Sequence, residues 1–333
     1  MSTDSPGRRK RFTLRRALAG CVAFLLVLLL GYSYVFGPVD PHAPTQEFIV
    51  EPDTSMYEVA TRLQEEGFIR SSFAFDAAFM SVSNGRDIRP GGYRISRAMD
   101  AWTMADAFAR TPYLAWVTIQ PGMRKEQIAH LMAAHLSWTP EEEQEWLTVH
   151  TAPSPSFVEG VYYPDTYLIQ SDQSPKEVAE RLRKRFQEVF APYANEAAEK
   201  GMDWTDVINL ASLVEREAAR TDKALVAGIL WNRIDRNMLL QVDASLQYIR
   251  GSKEEGWWPV PKSEDKYLES PFNTYQYVGL PPHPIANPSL DSIRAVLNPD
   301  QTNCLYYLHD NNGQIHCSTN YAQHKEFVNA YLR

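Results

Sequence analysis

The sequence predicts an α+β protein carried behind one N-terminal membrane helix. Three observations point there: an uncharged run long enough to span a bilayer, a strand–turn–helix pattern that occurs twice, and a succession of strongly helical stretches closed by a hairpin signal. The 333 residues are 44% apolar and 22% charged, a globular composition whose length suits about two domains.

The charge is unevenly placed. Arg8, Arg9, Lys10, Arg11, Arg15 and Arg16 stand against only Asp4 in the first 36 residues, so the remainder is more acidic than the net −8 of the whole. An acidic body argues against nucleic acid as a partner, because phosphate binding depends on clustered Lys and Arg. The basic residues (1–16) precede the uncharged stretch ALAGCVAFLLVLLLGYSYVF, residues 17–36. At about 1.5 Å rise per residue such a run spans roughly 30 Å, the thickness of a bilayer's hydrocarbon core. Tyr32, Tyr34 and Phe36 lie at its far end, where amphipathic rings favour the interface. Positive charge stays cytoplasmic, so residues 37–333 are expected outside the cytoplasm. A cleaved signal peptide is the competing reading, but its apolar region runs about 7–15 residues before an A-x-A-like site, and no clear site follows Phe36.

Gly37 to Gln46 reads as a short, proline-rich, stiff tether. Val50-Glu51-Pro52-Asp53-Thr54 then leads into Met56–Leu63, and 69 residues later Ile119-Gln120-Pro121-Gly122-Met123 leads into Lys125–Met132. Each copy reads as a strand, a Pro-containing turn and a helix with apolar residues three and four apart. A helix from Ser72 to Met80, a strand around Gly92–Ile95 and a helix from Thr103 to Arg110 lie between them. Residues 37–150 are thus expected to form one compact α+β region with an internal duplication. Such modules resemble the LysM type, which binds N-acetylglucosamine-containing glycans; a spacer that binds nothing fits the same pattern.

The segment TAPSPSFV, residues 151–158, marks the expected boundary to a second domain, 151–333. Beyond it, Ser174-Pro175 caps a helical run to Phe190, with Pro at the favourable first position. A second helix starts near Asp203 or Thr205, and a third covers Lys223 to Asn237. Trp257 to Pro288 is irregular and rich in prolines and aromatics, a composition suited to a groove wall. Leu290–Leu297 returns to helix, and a last helix starts at Tyr321. Between them Cys304 and Cys317 flank two short strands around an Asn312-Gly313 turn. They are placed to face each other across that hairpin, as a disulfide in an oxidising compartment or as two unpaired thiols.

Chemistry concentrates in Leu210-Ala211-Ser212-Leu213-Val214-Glu215-Arg216-Glu217-Ala218-Ala219. Val207, Leu210, Ala211, Val214 and Ala218 form an apolar stripe, and Glu215 and Glu217 fall on its two borders. Partial burial of either would raise its carboxyl pKa towards working pH. Periodicity does not choose between them. Serine-nucleophile, nucleotide-loop and zinc-helix signatures are absent from the sequence; His130 and His135 stand five apart rather than four. No cofactor or metal is expected.

Val214-Glu215-Arg216-Glu217 resembles the E-[KR]-E signature of the YceG-like endolytic murein transglycosylases. The resemblance continues in order through Glu159-Gly160-Val161-Tyr162-Tyr163-Pro164-Asp165-Thr166, Trp231-Asn232-Arg233-Ile234, Leu240-Gln241-Val242-Asp243, Ser270-Pro271-Phe272-Asn273-Thr274-Tyr275, Gly279–Pro288, Asn298-Pro299 and Ser318–His324. It implies a LysM-like domain joined to a lysozyme-related catalytic domain. It places the catalytic glutamate at Glu217 and suggests Gln241, Asp243, Asn273, Tyr275 and Asn320 as sugar-binding groups. Trp257, Trp258 and Tyr267 are candidates for stacking on sugar faces. The implied activity is cleavage within peptidoglycan glycan strands beside the synthases that extend them, at the inner membrane, leaving 1,6-anhydro ends. An inert glycan-binding scaffold and a hydrolytic muramidase share these features.

Overall fold

A computed structural model describes residues 6–151, 159–219 and 221–332. The chain is a mixed α+β protein of two compact units, divided between Trp116 and Val117.

The first unit begins with α1 (Pro6–Phe36), whose Ala19–Phe36 portion is long and apolar enough to cross a membrane. It is a candidate single-pass anchor. Next come β1 (Thr45–Val50), α2 (Met56–Glu65), α3 (Ser72–Val82), β2 (Gly91–Ser96) and α4 (Ala101–Ala109). The strand β1 pairs antiparallel with β2, Thr45 opposite Ser96 and Val50 opposite Gly91. Ser55 caps α2 reciprocally with Glu58, so an orphan amide is satisfied at each end of that box. Phe48, Val59, Leu63, Phe75, Ile95, Met104 and Phe108 build the core, with Phe48 and Phe75 both edge-on to Phe108. The strand β3 (Leu114–Thr118) leads out of this unit, its Leu114 paired with Gly92.

The second unit holds α5 (Lys125–Leu136), α6 (Pro140–Glu145), β4 (Thr166–Gln170), α7 (Pro175–Glu199), α8 (Trp204–Glu217), α9 (Lys223–Asp235), α10 (Asp243–Arg250), α11 (Leu290–Leu297), the hairpin β5 (Tyr306–His309) and β6 (Ile315–Ser318), and α12 (Tyr321–Tyr331). The division lies ahead of the boundary at 150–151 read from the sequence, whose segment falls outside the described residues from 152 onward. Only the first strand–turn–helix copy therefore lies in the first unit; the turn and helix of the second belong with the later helices. The cause is local hydrogen bonding. The Gly122 amide donates to the Asn287 carbonyl at 2.8 Å, and both the amide and the side chain of Asn287 donate to the Met123 carbonyl at 3.0 Å.

The irregular stretch before α11 acts as a brace rather than as loose loop. The Asn287 amide group also donates to Glu159, and its oxygen accepts from the Tyr162 amide. The Ile285 amide donates to Ser212, and Asn209 donates to the Pro281 carbonyl, so two buried turns of α8 are tied down. Gly160 is needed where these parts converge. Its φ is 86°, and a Cβ there would lie 2.8 Å from both Ile208 and Pro284.

Cys304 and Cys317 form a disulfide across the base of the hairpin, Cα atoms 5.8 Å apart. Closing a loop of this length restricts the unfolded chain and is worth about 2–3 kcal/mol. The Cys304→Ser/Cys317→Ser double variant should lose stability by about that amount in urea unfolding. An unchanged midpoint would mean that strand pairing alone holds the hairpin.

Candidate active site

The two glutamates that periodicity left equivalent meet opposite surroundings. Asp203 starts α8 by accepting from the Thr205 amide, and the helix runs until Glu217, its last residue. Glu215 turns toward α9 and α11. Its carboxylate accepts from Lys223 at 3.0 Å, from the Ser289 amide and hydroxyl, and from the Ser292 hydroxyl. Burial alone would raise its pKa, but the Ser289 and Ser292 hydrogen bonds and the Lys223 charge outweigh that and hold the carboxyl below its ordinary value. The charged form of Glu215 is thus favoured, and its carboxylate ties three helices together.

Glu217 faces a cavity of about 620 Å³. One carboxyl oxygen accepts from the Ala244 amide in the first turn of α10 at 3.0 Å, and the other from the Tyr307 hydroxyl at 3.0 Å. Burial dominates and raises its pKa, the two donors pull it down, and the nearby Asp243 charge pushes it up again. The balance is a raised value, which favours a carboxyl able to donate a proton. Tyr307 stays a neutral phenol, because burial and the neighbouring Glu217 charge push its own pKa well up.

The cavity wall also contains Arg233, Gln241, Asp243, Lys266, Tyr275, Tyr306 and His309. Three of the five suggested sugar-binding residues, Gln241, Asp243 and Tyr275, are thus brought together with Glu217. Their placement follows from one junction. Thr274 accepts the Gln241 amide through its carbonyl and the Val242 amide through its hydroxyl, while Ser245 shares that hydroxyl. Tyr275 then donates to Asp243. Gln241 occupies a left-handed backbone conformation, φ 51°, unusual for a residue with a side chain and common where a wall must be shaped.

Asn273 and Asn320 are not in that wall. Asn273 is fully buried; its amide group donates to the Lys266 and Leu268 carbonyls and its oxygen accepts from the Tyr275 amide. It shapes the turn that presents Lys266 and Tyr275. Asn320 caps α12 through the Gln323 amide. Trp257 and Trp258 pack around the Arg124 guanidinium, and Arg216 lies 4.0 Å over the Trp258 ring. Tyr267 is largely exposed and is not among the residues lining the cavity.

Tyr307 and His309 were not legible as site residues, since only the folded hairpin carries them to Glu217. Arg233 secures that approach. Its guanidinium donates to the Leu305 carbonyl at 2.6 Å and to the Leu240 carbonyl at 2.5 Å, joining hairpin and α10 entrance. His309 in turn pairs with Asp222 at 2.9 Å. A larger cavity, about 700 Å³, lies around the N-terminal half of α8, at the other end of that helix from Glu217. No group of three or more His, Cys, Asp or Glu among the described residues is arranged to hold a metal ion.

Glu215→Gln should cost about 2–4 kcal/mol in urea unfolding, because it leaves the nearly buried Lys223 without its counter-charge. The sign with pH follows from the lowered carboxyl value. The loss should be full above about pH 4.5 and shrink as pH falls through the native value, where wild-type Glu215 is itself protonated. A pH-independent difference would contradict this assignment.

The comparisons with known proteins agree with the motif series. The chain is 25% identical over 364 residues to an endolytic murein transglycosylase of Streptococcus pneumoniae serotype 2 (strain D39 / NCTC 7466), covering 93% of this chain and 65% of that protein. It therefore spans about two thirds of the length of that relative. A Bacillus subtilis (strain 168) protein of the same name is 24% identical over 334 residues, covering 92% of this chain and 91% of that one. The fold is similar to a crystal structure of a putative YceG-like protein of Listeria monocytogenes, with a TM-score of 0.59 at 24% identity over 85% of this chain and 98% of the other. The YceG-like family model matches residues 48–330, and on that extent the chain belongs to the YceG-like family.

Proposed function

We propose that this chain is a membrane-anchored lytic transglycosylase that cuts within peptidoglycan glycan strands, with Glu217 as both acid and base. The observation that carries the reading is the raised, doubly hydrogen-bonded Glu217 carboxyl on the wall of an open cavity. The name shared by the pneumococcal and Bacillus relatives, endolytic murein transglycosylase, supports the same substrate class.

Most glycosidases divide the work between two carboxylates. Here one suffices. The protonated Glu217 gives its proton to the oxygen between N-acetylmuramic acid and N-acetylglucosamine, and the C1–O bond breaks with the electron pair leaving on that oxygen. Positive charge develops at C1 and the ring oxygen, and the sugar's acetamido group stabilises it. The Glu217 carboxylate, held by the Ala244 amide and Tyr307, then takes the proton of the C6 hydroxyl as that oxygen bonds C1. A 1,6-anhydro ring closes, no water is consumed, and Glu217 is protonated again. In this scheme Gln241, Asp243 and Tyr275 hold hydroxyl and acetamido groups, a role supported by their lining the same cavity as Glu217.

In the same reading, the first unit from residue 37 onward, with its strand–turn–helix copy, is LysM-like, and the second unit forms a lysozyme-related catalytic domain. The anchor crosses the inner membrane with its basic end in the cytoplasm, and the enzyme ends nascent strands beside the synthases that extend them. A hydrolytic muramidase is the second reading, favoured by Asp243 lining the same cavity as Glu217. The hydrogen bond from Tyr275 ties Asp243 down as a positioned acceptor rather than a free base.

Incubating the detergent-solubilised protein with polymeric glycan strands separates these readings. Wild type should yield ends lighter by one water in mass spectrometry, Glu217→Gln should lose nearly all activity while keeping its fold, and Glu215→Gln should keep cutting while folded. Reducing ends would indicate hydrolysis. Uncut strands with the folded wild type would leave only a glycan-binding scaffold.

A further inference from the structure

We infer that the first compact unit rests directly on the lipid bilayer, through Trp102 and the exposed apolar face of α3. This inference rests on the reading of Ala19–Phe36 as a membrane span.

The contacts at the end of α1 set the geometry. The Trp102 indole N–H, at the start of α4, donates to the Tyr32 hydroxyl at 2.8 Å. Phe36 stacks on Trp102 and on Tyr32, with ring centroids 6.0 Å and 4.6 Å apart. Arg70 donates to the Tyr34 carbonyl at 3.0 Å and lies over the Tyr34 ring. Tyr32, Tyr34 and Phe36 all belong to the apolar span or its final residues. A globular unit that grips the last turn of a membrane helix cannot stand away from the headgroups on a free leash.

The proline-rich segment after the span is also fastened to this unit. Arg70 reaches the Val39 carbonyl, the Asp40 amide donates to the Arg97 carbonyl, and Ser96 donates to the Ala43 carbonyl. What reads as a tether in the sequence is a strap.

The helix α3 starts two residues after Arg70, so its first turn is held near the level where the span leaves the hydrocarbon. Ala74, Phe75, Ala78 and Phe79 face the core. Phe73, Ala77 and Met80 share the opposite face at helical spacing and are exposed, Phe73 at 75% and Met80 at 71%. A phenylalanine and a methionine kept in water at the mouth of a membrane helix are costly. Against the headgroup–acyl boundary the same side chains become favourable contacts, with Trp102 as an interfacial ring beside them. Continuity with the span selects lipid over a protein partner.

The test uses the full chain in a Cys21→Ala background, reconstituted into phosphatidylglycerol–phosphatidylethanolamine vesicles containing a phospholipid brominated near the top of its acyl chains. Cys304 and Cys317 are bonded to each other, so bimane attaches only at introduced cysteines. Labels at Phe73→Cys and Met80→Cys should be quenched by brominated lipid at least about twofold more than one at Tyr57→Cys, an equally exposed ring (72%) at the other end of α2 from Gly67–Arg70. A label at Leu28→Cys, at the middle of the span, is read in parallel vesicles whose phospholipid is brominated near the ends of its acyl chains and reports the span itself. Quenching at Leu28→Cys with none above the Tyr57→Cys level at positions 73 and 80 overturns the bilayer seat alone. Labels at 73 and 80 shielded from aqueous iodide yet untouched by brominated lipid would mean a protein partner covers this face, which also overturns it. Absence of quenching at Leu28→Cys overturns the span and the seat together.

Discussion

A carboxyl group pressed between an amide N–H and a phenol, with burial opposing its ionisation, is the constraint around which the second unit is organised. The Ala244 amide and the Tyr307 hydroxyl come from elements far apart in the chain, so Glu217 has this environment only when α8, α10 and the C-terminal hairpin are mutually fixed. Each fixing contact can be named. Thr274 pins the approach to α10, Arg233 joins that approach to the hairpin, and the Cys304–Cys317 bond closes the hairpin itself. The irregular stretch before α11 holds α8 as well, the Ile285 amide donating to Ser212 and Asn209 donating to the Pro281 carbonyl.

The neighbouring glutamates show how a helix can place chemically opposite groups two residues apart. Glu215 is surrounded by hydroxyls, an amide and a lysine, all of which reward the charged form. Glu217 has only two donors and an adjacent carboxylate, and burial opposes its charge, so the neutral form gains. Burial acts on both; the number and charge of donors decide the outcome. One residue became a structural anion and the other a candidate proton donor.

What was legible in the sequence was local. Helix α8, its Asp203 cap, the Ser174-Pro175 start of α7 and the Asn312-Gly313 hairpin all follow from spacing and capping chemistry, and the structure has them. The disulfide sits where two cysteines flank a symmetric turn. Long-range roles were not legible. Tyr307 lies 90 residues from Glu217, and no periodicity announces it. Glu215 and Glu217 could not be told apart by stripe geometry, because Lys223, Ser289 and Ser292 distinguish them only after folding. Asn273 looked like a sugar-binding group, since an asparagine in a turn carries the same donors and acceptors whether they meet a ligand or the backbone. The second strand–turn–helix copy looked like a partner of the first; the hydrogen bonds of Asn287 take it into the other unit.

The central claim concerns the protonation of one side chain, and it is directly measurable. Carbon-13 NMR titration of the Glu217 carboxyl, assigned by its loss in Glu217→Gln, should give a midpoint above the ordinary glutamate value of 4.5, with the signal assigned to Glu215 titrating below it. A Glu217 midpoint at or below that value would contradict the account, because the group would already be ionised where a proton donor is required.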